Sequence, residues 1–426
     1  MLRHFRGSFT IFKRHVSALY VTGDKASEHF AVLTPFLNYE ERLQNYIEVE
    51  ENVKRRKMKL NLDDFRNEYD LYKSFKERKK ALANRRVEIS KLMREAPNEG
   101  LKLQGIQVRE DLRLLKENSY HLEDSFIHCY LDLPNYIHNV TPDNDKKVVY
   151  SFKEVRDKKQ PNLSESLLDE FIEFYDSTCY FLKGEAAKFD LFLPMHVLDL
   201  HQDKGFMKFS NPDFSRSVIA EGAGIDSKKL FLLKEVDIEN KLNLLHFTGN
   251  GSFVSFLPFI TKLSTFPTLF PMKFICTGKQ YDAENHFEHN DLYKVVQSTC
   301  CQSFVSTVDG STFNDIMDEQ IEIFKELFEM FGQHFRIYYY PAHELNKAES
   351  CKLGVEMFSP SQNKYIEVGN FSYYGDYVSK RLLFNYKIGK DLHFPHIYSG
   401  TVVNVMKLIL LLIENTENFK CPNELT

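Results

Sequence analysis

The sequence predicts an α+β protein: an N-terminal antiparallel coiled-coil helical arm, then a domain with a central antiparallel sheet flanked by helices. Three observations carry this. Two apolar runs with heptad-like spacing flank the breaker cluster Ala96-Pro97-Asn98-Glu99-Gly100, the pattern of two helices folded back on each other. Beyond them, helical stretches alternate with short β-rich runs without a βαβ rhythm. The 426 residues, 43% hydrophobic and 27% charged, have ordinary globular composition, which excludes disorder over most of the length.

Residues 1–24 read as an address. Met1 to Gly23 holds Arg3, Arg6, Lys13 and Arg14 with no acid before Asp24, and Leu2, Phe5, Phe9, Phe12, Val16 and Leu19 fall on one helical face. A basic amphipathic segment without acids has the form of a mitochondrial presequence and lacks the continuous apolar run of a secretory signal. The plainer alternative is a basic amphipathic surface helix. On the first reading the protein belongs in the mitochondrial matrix, with a mature chain beginning near Asp24.

The arm spans 38–128. Leu62, Phe65, Tyr69 and Tyr72 start a stripe that Leu82, Ile89 and Met93 continue, and the return run is Val108, Leu112, Leu115, Leu122 and Phe126. Between Lys54 and Arg94 stand 15 Lys or Arg against six acids, in a chain of net charge −5. One reading is a solvated coiled-coil face. The sharper one is a phosphate-tracking arm with Lys73, Lys76, Lys80, Arg85 and Arg86 as RNA-binding residues, because clustered cations release counterions from a nucleic-acid backbone.

Residues 129–162 form a linker in which Lys146 to Gln160 is polar and reads as loop. In the domain 163–426, helices are expected over Ser166–Tyr175, Ala187–Lys204, Phe313–Phe331 and Val402–Asn415, and strands over Met272–Cys276, Phe335–Tyr340 and Ile366–Val368. The most apolar stretch, Val402 to Ile413, has 12 residues and includes Asn404 and Lys407. A bilayer span needs about 20, so this is a core helix and no membrane span is expected. Seven cysteines show no CxxC pair, and Cys300 and Cys301 read as buried thiols in a reducing compartment. His286-Phe287-Glu288-His289 offers two imidazoles without a third ligand, and no metal site is read there. Gly249-Asn250-Gly251 is no phosphate cradle, because no GK[ST] follows.

Several segments together resemble the seryl-tRNA synthetases, class II aminoacyl-tRNA synthetases. Asn52-Val53-Lys54-Arg55-Arg56 resembles the start of their N-terminal domain. Leu133-Pro134-Asn135-Tyr136-Ile137 resembles their "LPNxxH" linker, and Cys179 to Ala187 their "FxxLKGxAA" segment. Pro212 falls near the motif 1 proline, Glu356 to Tyr386 follows the family's "EAWMPS…YGEVSS…" run almost without gaps, and Ser399 to Asn415 resembles motif 3. The ordered set covers nearly the whole chain from about Asn38. The resemblance implies a helical tRNA-binding arm on a class II synthetase-like catalytic domain, and a dimer.

The family's chemistry is altered where it matters most. Serine activation needs a motif 2 arginine, a motif 3 arginine and magnesium to stabilise charge on the α-phosphate of ATP. The motif 2 arginine aligns with Asp282. Near a phosphate this turns an attraction of roughly 4 kcal/mol into a repulsion of similar size. The serine-binding "TxE" aligns with Asn250-Gly251-Ser252, so the carboxylate has become the Ser252 hydroxyl. The motif 3 arginine aligns with Lys407, which keeps the charge but loses the bidentate fork. Thr299 replaces the glutamate after the motif 2 loop. Glu284, Glu367 and Arg381 match retained family positions, and Thr401 lies within motif 3.

The sequence is thus similar to the noncatalytic seryl-tRNA synthetase-like proteins of insect mitochondria. The degenerate site, with Asn250, Ser252, Asp282 and Lys407 changed and Glu284, Glu367 and Thr401 beside them, implies no catalysis and no cofactor. Expected partners are the mitochondrial seryl-tRNA synthetase in a heterodimer, or a second copy in a homodimer, with tRNA or other RNA on the arm. The alternatives are an active divergent mitochondrial serine-tRNA ligase, using ATP and magnesium with Lys407 and Lys279 in place of the arginines, and a nucleic-acid regulator acting through the arm alone.

Overall fold

A computed structural model describes residues 17–19, 33–155, 169–233, 244–284, 291–416 and 418–425. The arm follows from the two apolar stripes. Its helices are α1 Tyr39–Gln44, α2 Tyr46–Arg55, α3 Leu62–Glu95 and α4 Glu99–Asp132. The two long helices start on asparagine caps: Asn61 Oδ1 accepts the Asp63 N–H at 3.2 Å and Asn98 Oδ1 the Gly100 N–H at 2.9 Å, satisfying donors that the helix leaves free. Near the root, Phe126 is the hub, with the rings of Tyr39, Phe65, Tyr69 and Tyr72 5.3, 5.7, 5.5 and 5.1 Å away. Farther out Ile89 and Val108 are buried, and Gly105 lets Ile89 approach.

Polar side chains join arm to body, Asn52, Arg56 and Asn135 from buried positions. Asn52 Oδ1 accepts the Ile137 N–H at 2.7 Å. Asn135 Nδ2 donates to the carbonyls of Ala348 and Tyr374 at 2.9 and 2.8 Å. The Arg56 guanidinium, 4% exposed, donates to the carbonyls of Leu345, Asn346, Asn135 and Glu349. Burial lowers its pKa to about 10, with Glu349 opposing. Asn52, Arg56 and Asn135, picked out in sequence only by resemblance, are the joint itself.

The body consists of β1 Lys147–Phe152, β2 Ile172–Asp176, β3 Cys179–Leu182, α5 Gly184–Asp203, β4 Met207–Lys208, β5 Phe214–Arg216, α6 Ser217–Gly222, β6 Phe231–Leu232, β7 Leu245–Phe247, α7 Phe253–Ile260, β8 Ser264–Thr265, β9 Met272–Tyr281, β10 Gln297–Thr307, α8 Phe313–Glu329, β11 Phe335–Tyr339, β12 Cys351–Ser359, β13 Lys364–Gly375, α9 Tyr377–Leu382, β14 Asn385–Ile388, β15 Asp391–His393, β16 His396–Asn404 and α10 Val405–Asn415. Eight strands form one sheet in the order β1-β11-β12-β13-β16-β10-β9-β4, antiparallel except for the β4–β9 pair. Helices α5, α8 and α10 cover one face, burying Leu193, Val197, Phe324, Leu327 and Leu408 against Ile337, Leu353 and Val355. On the other face, Phe256 and Leu257 of α7 join a second core with Phe274, Cys276 and Phe304.

Three expectations are corrected. Lys146–Gln160 is not all loop: Lys147–Phe152 is an edge strand in register with β11, Lys147 opposite Tyr339 and Phe152 opposite Phe335. Its charge and exposure are those of an edge strand, which need not bury both faces. Within Ser166–Tyr175, residues 172–175 belong to β2, with Ile172 opposite Leu182 and Phe174 opposite Tyr180, because β-branched and aromatic side chains alternate there. Residues 156–168 lie outside the described residues. Val402, Val403 and Asn404 close β16, and the helix starts at Val405 because the Asn404 side chain caps the Lys407 N–H at 3.1 Å. Most of the expected 1–24 leader also lies outside the described residues, but Ser17–Leu19 is described and buried.

Replacing Arg56 with methionine keeps an unbranched apolar stem, removes the guanidinium and leaves four carbonyls without their charged donor. A loss of about 3 kcal/mol of stability is expected, measured by urea denaturation.

Candidate functional site

The site lies on the sheet face opposite α10 and is assembled by strand alternation. On β12, Leu353, Val355 and Met357 enter the core under α10, so Lys352, Gly354 and Glu356 face the other way. Glu356 is 1% exposed and pairs with Lys146 at 2.7 Å and with Arg336. The Arg336 guanidinium lies 3.6 Å over the Tyr365 ring. Across the strand pair, Glu367 of β13 stands opposite Glu356. It accepts from Asn370 Nδ2 at 2.8 Å and lies 3.7 Å from Lys352 Nζ. Burial raises the Glu367 pKa, and Lys407 opposes the rise.

A polar chain continues across the sheet. Asn370 Oδ1 accepts the Thr401 N–H at 3.4 Å, Thr401 Oγ1 donates to Gln302 Oε1 at 3.0 Å, and Gln302 Nε2 donates to Ser399 Oγ at 2.9 Å. Glu367, Thr401 and Lys407 are therefore brought together. The other degenerate positions are not. Ser252 begins α7 and turns its hydroxyl inward, 2.9 Å from both the Gly249 carbonyl and Ser255 Oγ. The Asn250 side chain covers Gly278, where a methyl group would lie 1.5 Å from Asn250 Oδ1. Asp282 is exposed and accepts the Glu284 N–H at 3.0 Å, while Glu284 pairs with Lys229 at 3.1 Å. Neither hydrogen-bonds to Glu367, Thr401 or Lys407.

Lys279 of β9 is engaged by side chains of the neighbouring strand and of α5. Its ammonium donates to Thr299 Oγ1 at 2.7 Å and lies 3.8 Å from Asp190 of α5. The thiols of Cys300 and Cys301 are fully buried, and burial pushes Cys300 up to about 11. His286–His289 lies outside the described residues. Among the described residues, no group of three or more His, Cys, Asp or Glu side chains is placed to hold a metal ion.

Sequence reasoning missed Tyr338, Tyr340, Lys146, Arg336 and Lys352. The Tyr338 ring is fully buried on Gly354, 4.9 Å from the Tyr340 ring. Lys146 Nζ sits 4.2 Å from the Tyr338 centroid and Lys352 Nζ 4.2 Å from that of Tyr340, distances at which cations are held by ring faces. The signal was the two-residue spacing of Lys352, Gly354 and Glu356 opposite Leu353, Val355 and Met357. Lys73, Lys76, Lys80, Arg85 and Arg86 are all exposed on α3. From Lys73 to Arg94, nine basic residues meet only Glu77 and Glu88.

This architecture, a long helical hairpin on an antiparallel sheet flanked by helices, is that of a class II aminoacyl-tRNA synthetase. It superposes on the ATP complex of Pyrococcus horikoshii seryl-tRNA synthetase with a TM-score of 0.79 at 17% identity, covering 90% of this chain and 94% of that one. For the AMP complex of the Naegleria fowleri cytoplasmic serine-tRNA ligase the TM-score is 0.76 at 18% identity, over 91% and 94%. No family model matches. In sequence, the chain is 30% identical over 428 residues to the Drosophila melanogaster serine–tRNA synthetase-like protein Slimp, covering 97% of this chain and 92% of that protein. The Bos taurus mitochondrial serine–tRNA ligase is 25% identical over 344 residues, 76% of this chain and 66% of its own. The chain belongs to the seryl-tRNA synthetase-like family.

A methyl group on Gly354 would lie 2.6 Å from Tyr338 Cζ. Gly354→Ala is expected to cost about 1–3 kcal/mol by overpacking, and adding Tyr338→Val to recover part of that loss, both read from thermal denaturation.

Proposed function

We propose that this protein is a noncatalytic seryl-tRNA synthetase paralogue of the mitochondrial matrix. It holds tRNA or other RNA on its basic arm and pairs with the mitochondrial seryl-tRNA synthetase as a scaffold or regulator. The observation that carries the loss of catalysis is the state of the substrate positions. Ser252 is turned inward, Asp282 has the wrong sign for a phosphate, and Lys279 is engaged by Thr299 and Asp190. A magnesium ion does not fit either. Glu356 is engaged by Lys146 and Arg336, and Glu367 lies 3.7 Å from the Lys352 ammonium in the field of Lys407, so both carboxylates face cations of this chain where a magnesium ion would need one free.

Pairing is supported by an exposed apolar surface at the outer end of the sheet. Leu191 and Met195 on α5, Met207 on the edge strand β4 and Phe259 on α7 are 67, 59, 62 and 47% exposed. Large exposed apolar side chains beside an unpaired sheet edge are the kind of surface that association buries. Mitochondrial serine–tRNA ligases among the relatives support the location.

The alternative, an active divergent ligase, draws on Glu367, Thr401 and Lys407 standing together. Serine-dependent ATP–pyrophosphate exchange separates the two: no exchange above an enzyme-free blank is expected, and exchange at the rate of an authentic seryl-tRNA synthetase would establish the ligase. Pull-down with the mitochondrial synthetase should recover a stable complex, and absence of both that complex and self-association sinks the scaffold. Changing Lys76, Lys80, Arg85 and Arg86 to Glu should weaken RNA binding at least tenfold and flatten the logarithmic salt slope by about 3, as measured by filter binding at several salt concentrations.

A further inference from the structure

Ser17, Ala18 and Leu19 are built into the body. Leu19 is 1% exposed and packs beside Gly222 and Leu382: a methyl group on Gly222 would meet the side chains of both. The Glu221 carboxylate of α6 receives three donors from this tripeptide, the Ser17 hydroxyl, the Ala18 N–H at 2.7 Å and the Leu19 N–H at 3.0 Å. Hydrogen bonds to an ionised carboxylate are roughly twice as strong as neutral ones. The chain returns to the same region at Leu33, which is buried, and at Phe36, whose N–H donates to the Lys380 carbonyl at 2.9 Å.

The charge pattern divides at the same point. Arg3, Arg6, Lys13 and Arg14 all precede Ser17, and no Lys or Arg occurs from Ser17 to Gly23. The cationic character that an import signal requires ends at Arg14, and the buried tripeptide Ser17–Leu19 follows it in sequence.

We propose that Ser17–Leu19 is a retained N-terminal anchor, with Glu221 and the leucine slot as its receptor, and that the leader is removed between Arg14 and Ser17 rather than near Asp24. The step is hydrolysis of one peptide bond by a processing endopeptidase. Water supplies the hydroxyl of the leader's new carboxyl group and a proton to the new amino terminus. The product carries a fresh ammonium within two residues of the Glu221 carboxylate's partners, and their attraction tightens the anchor. The processing step rests on the matrix location proposed above; the anchor does not.

Two experiments test this. The full chain is imported into isolated mitochondria and the matrix product weighed intact. A mass lacking 14 to 16 residues is expected. A product lacking Ser17–Leu19, or an imported chain that keeps Met1, overturns the cleavage assignment. A chain that is never imported overturns both the matrix reading and the processing. Separately, chains beginning at Ser17 and at Asp24 are melted. The shorter chain is expected to melt about 3–5 °C lower, and Glu221→Ala in the longer chain, like Leu19→Asp in the full chain, to reproduce most of the shift. Equal midpoints overturn the anchor, whatever the import experiment gives.

Discussion

The two-residue period of the central sheet governs where each functional side chain of the body ends up. Because α10 is apolar on almost every side, the strands beneath it must present apolar residues at every second position. Leu353, Val355 and Met357 meet that demand on β12. Their neighbours Lys352, Gly354 and Glu356 are consequently delivered to the opposite face. The same logic sends Ile337 inward and Tyr338 outward on β11. A single constraint, burial of one face, composes the polar surface of the other.

That polar surface is closed upon itself. Glu356 is neutralised by Lys146 and Arg336, Glu367 is held by Asn370 and Lys352, and the Tyr338–Tyr340 pair is covered by two ammonium groups. A nucleotide needs cations whose charge is not already matched and a carboxylate that faces metal rather than lysine. The charged side chains of this cluster pair with one another. The arm differs: from Lys73 to Arg94 of α3, nine basic residues stand with only Glu77 and Glu88.

The arm was the most legible part of the sequence, because heptad spacing and the cluster at Ala96–Gly100 are local signals that tertiary contacts do not override. The long strands were legible only in part. Met272–Cys276 extends to Tyr281 and Ile366–Val368 to Lys364–Gly375, since the pairing that prolongs them comes from distant strands. The edge strand β1 was hidden by its polarity. Of the site, the identities of Ser252, Asp282 and Lys407 were readable by resemblance, and their orientations were not. That Lys279 turns to Asp190 and that Tyr338 fills the space over Gly354 both depend on which face a strand presents. Such a choice is settled by packing across the whole sheet rather than by neighbours in sequence.

The clasp around Arg56 has a mechanical meaning. Helix α3 has 34 residues, so at 1.5 Å per residue it is a boom about 50 Å long. Arg56, between α2 and the start of α3, fixes the base of the arm to the loop 345–349 through backbone carbonyls, which offer no side-chain rotamers to slacken the joint. A tilt of about 5° at that footing carries the tip about 4 Å over such a length, more than a hydrogen bond tolerates. The stiffness of one buried guanidinium at the base therefore bears on how far the tip of the arm can swing.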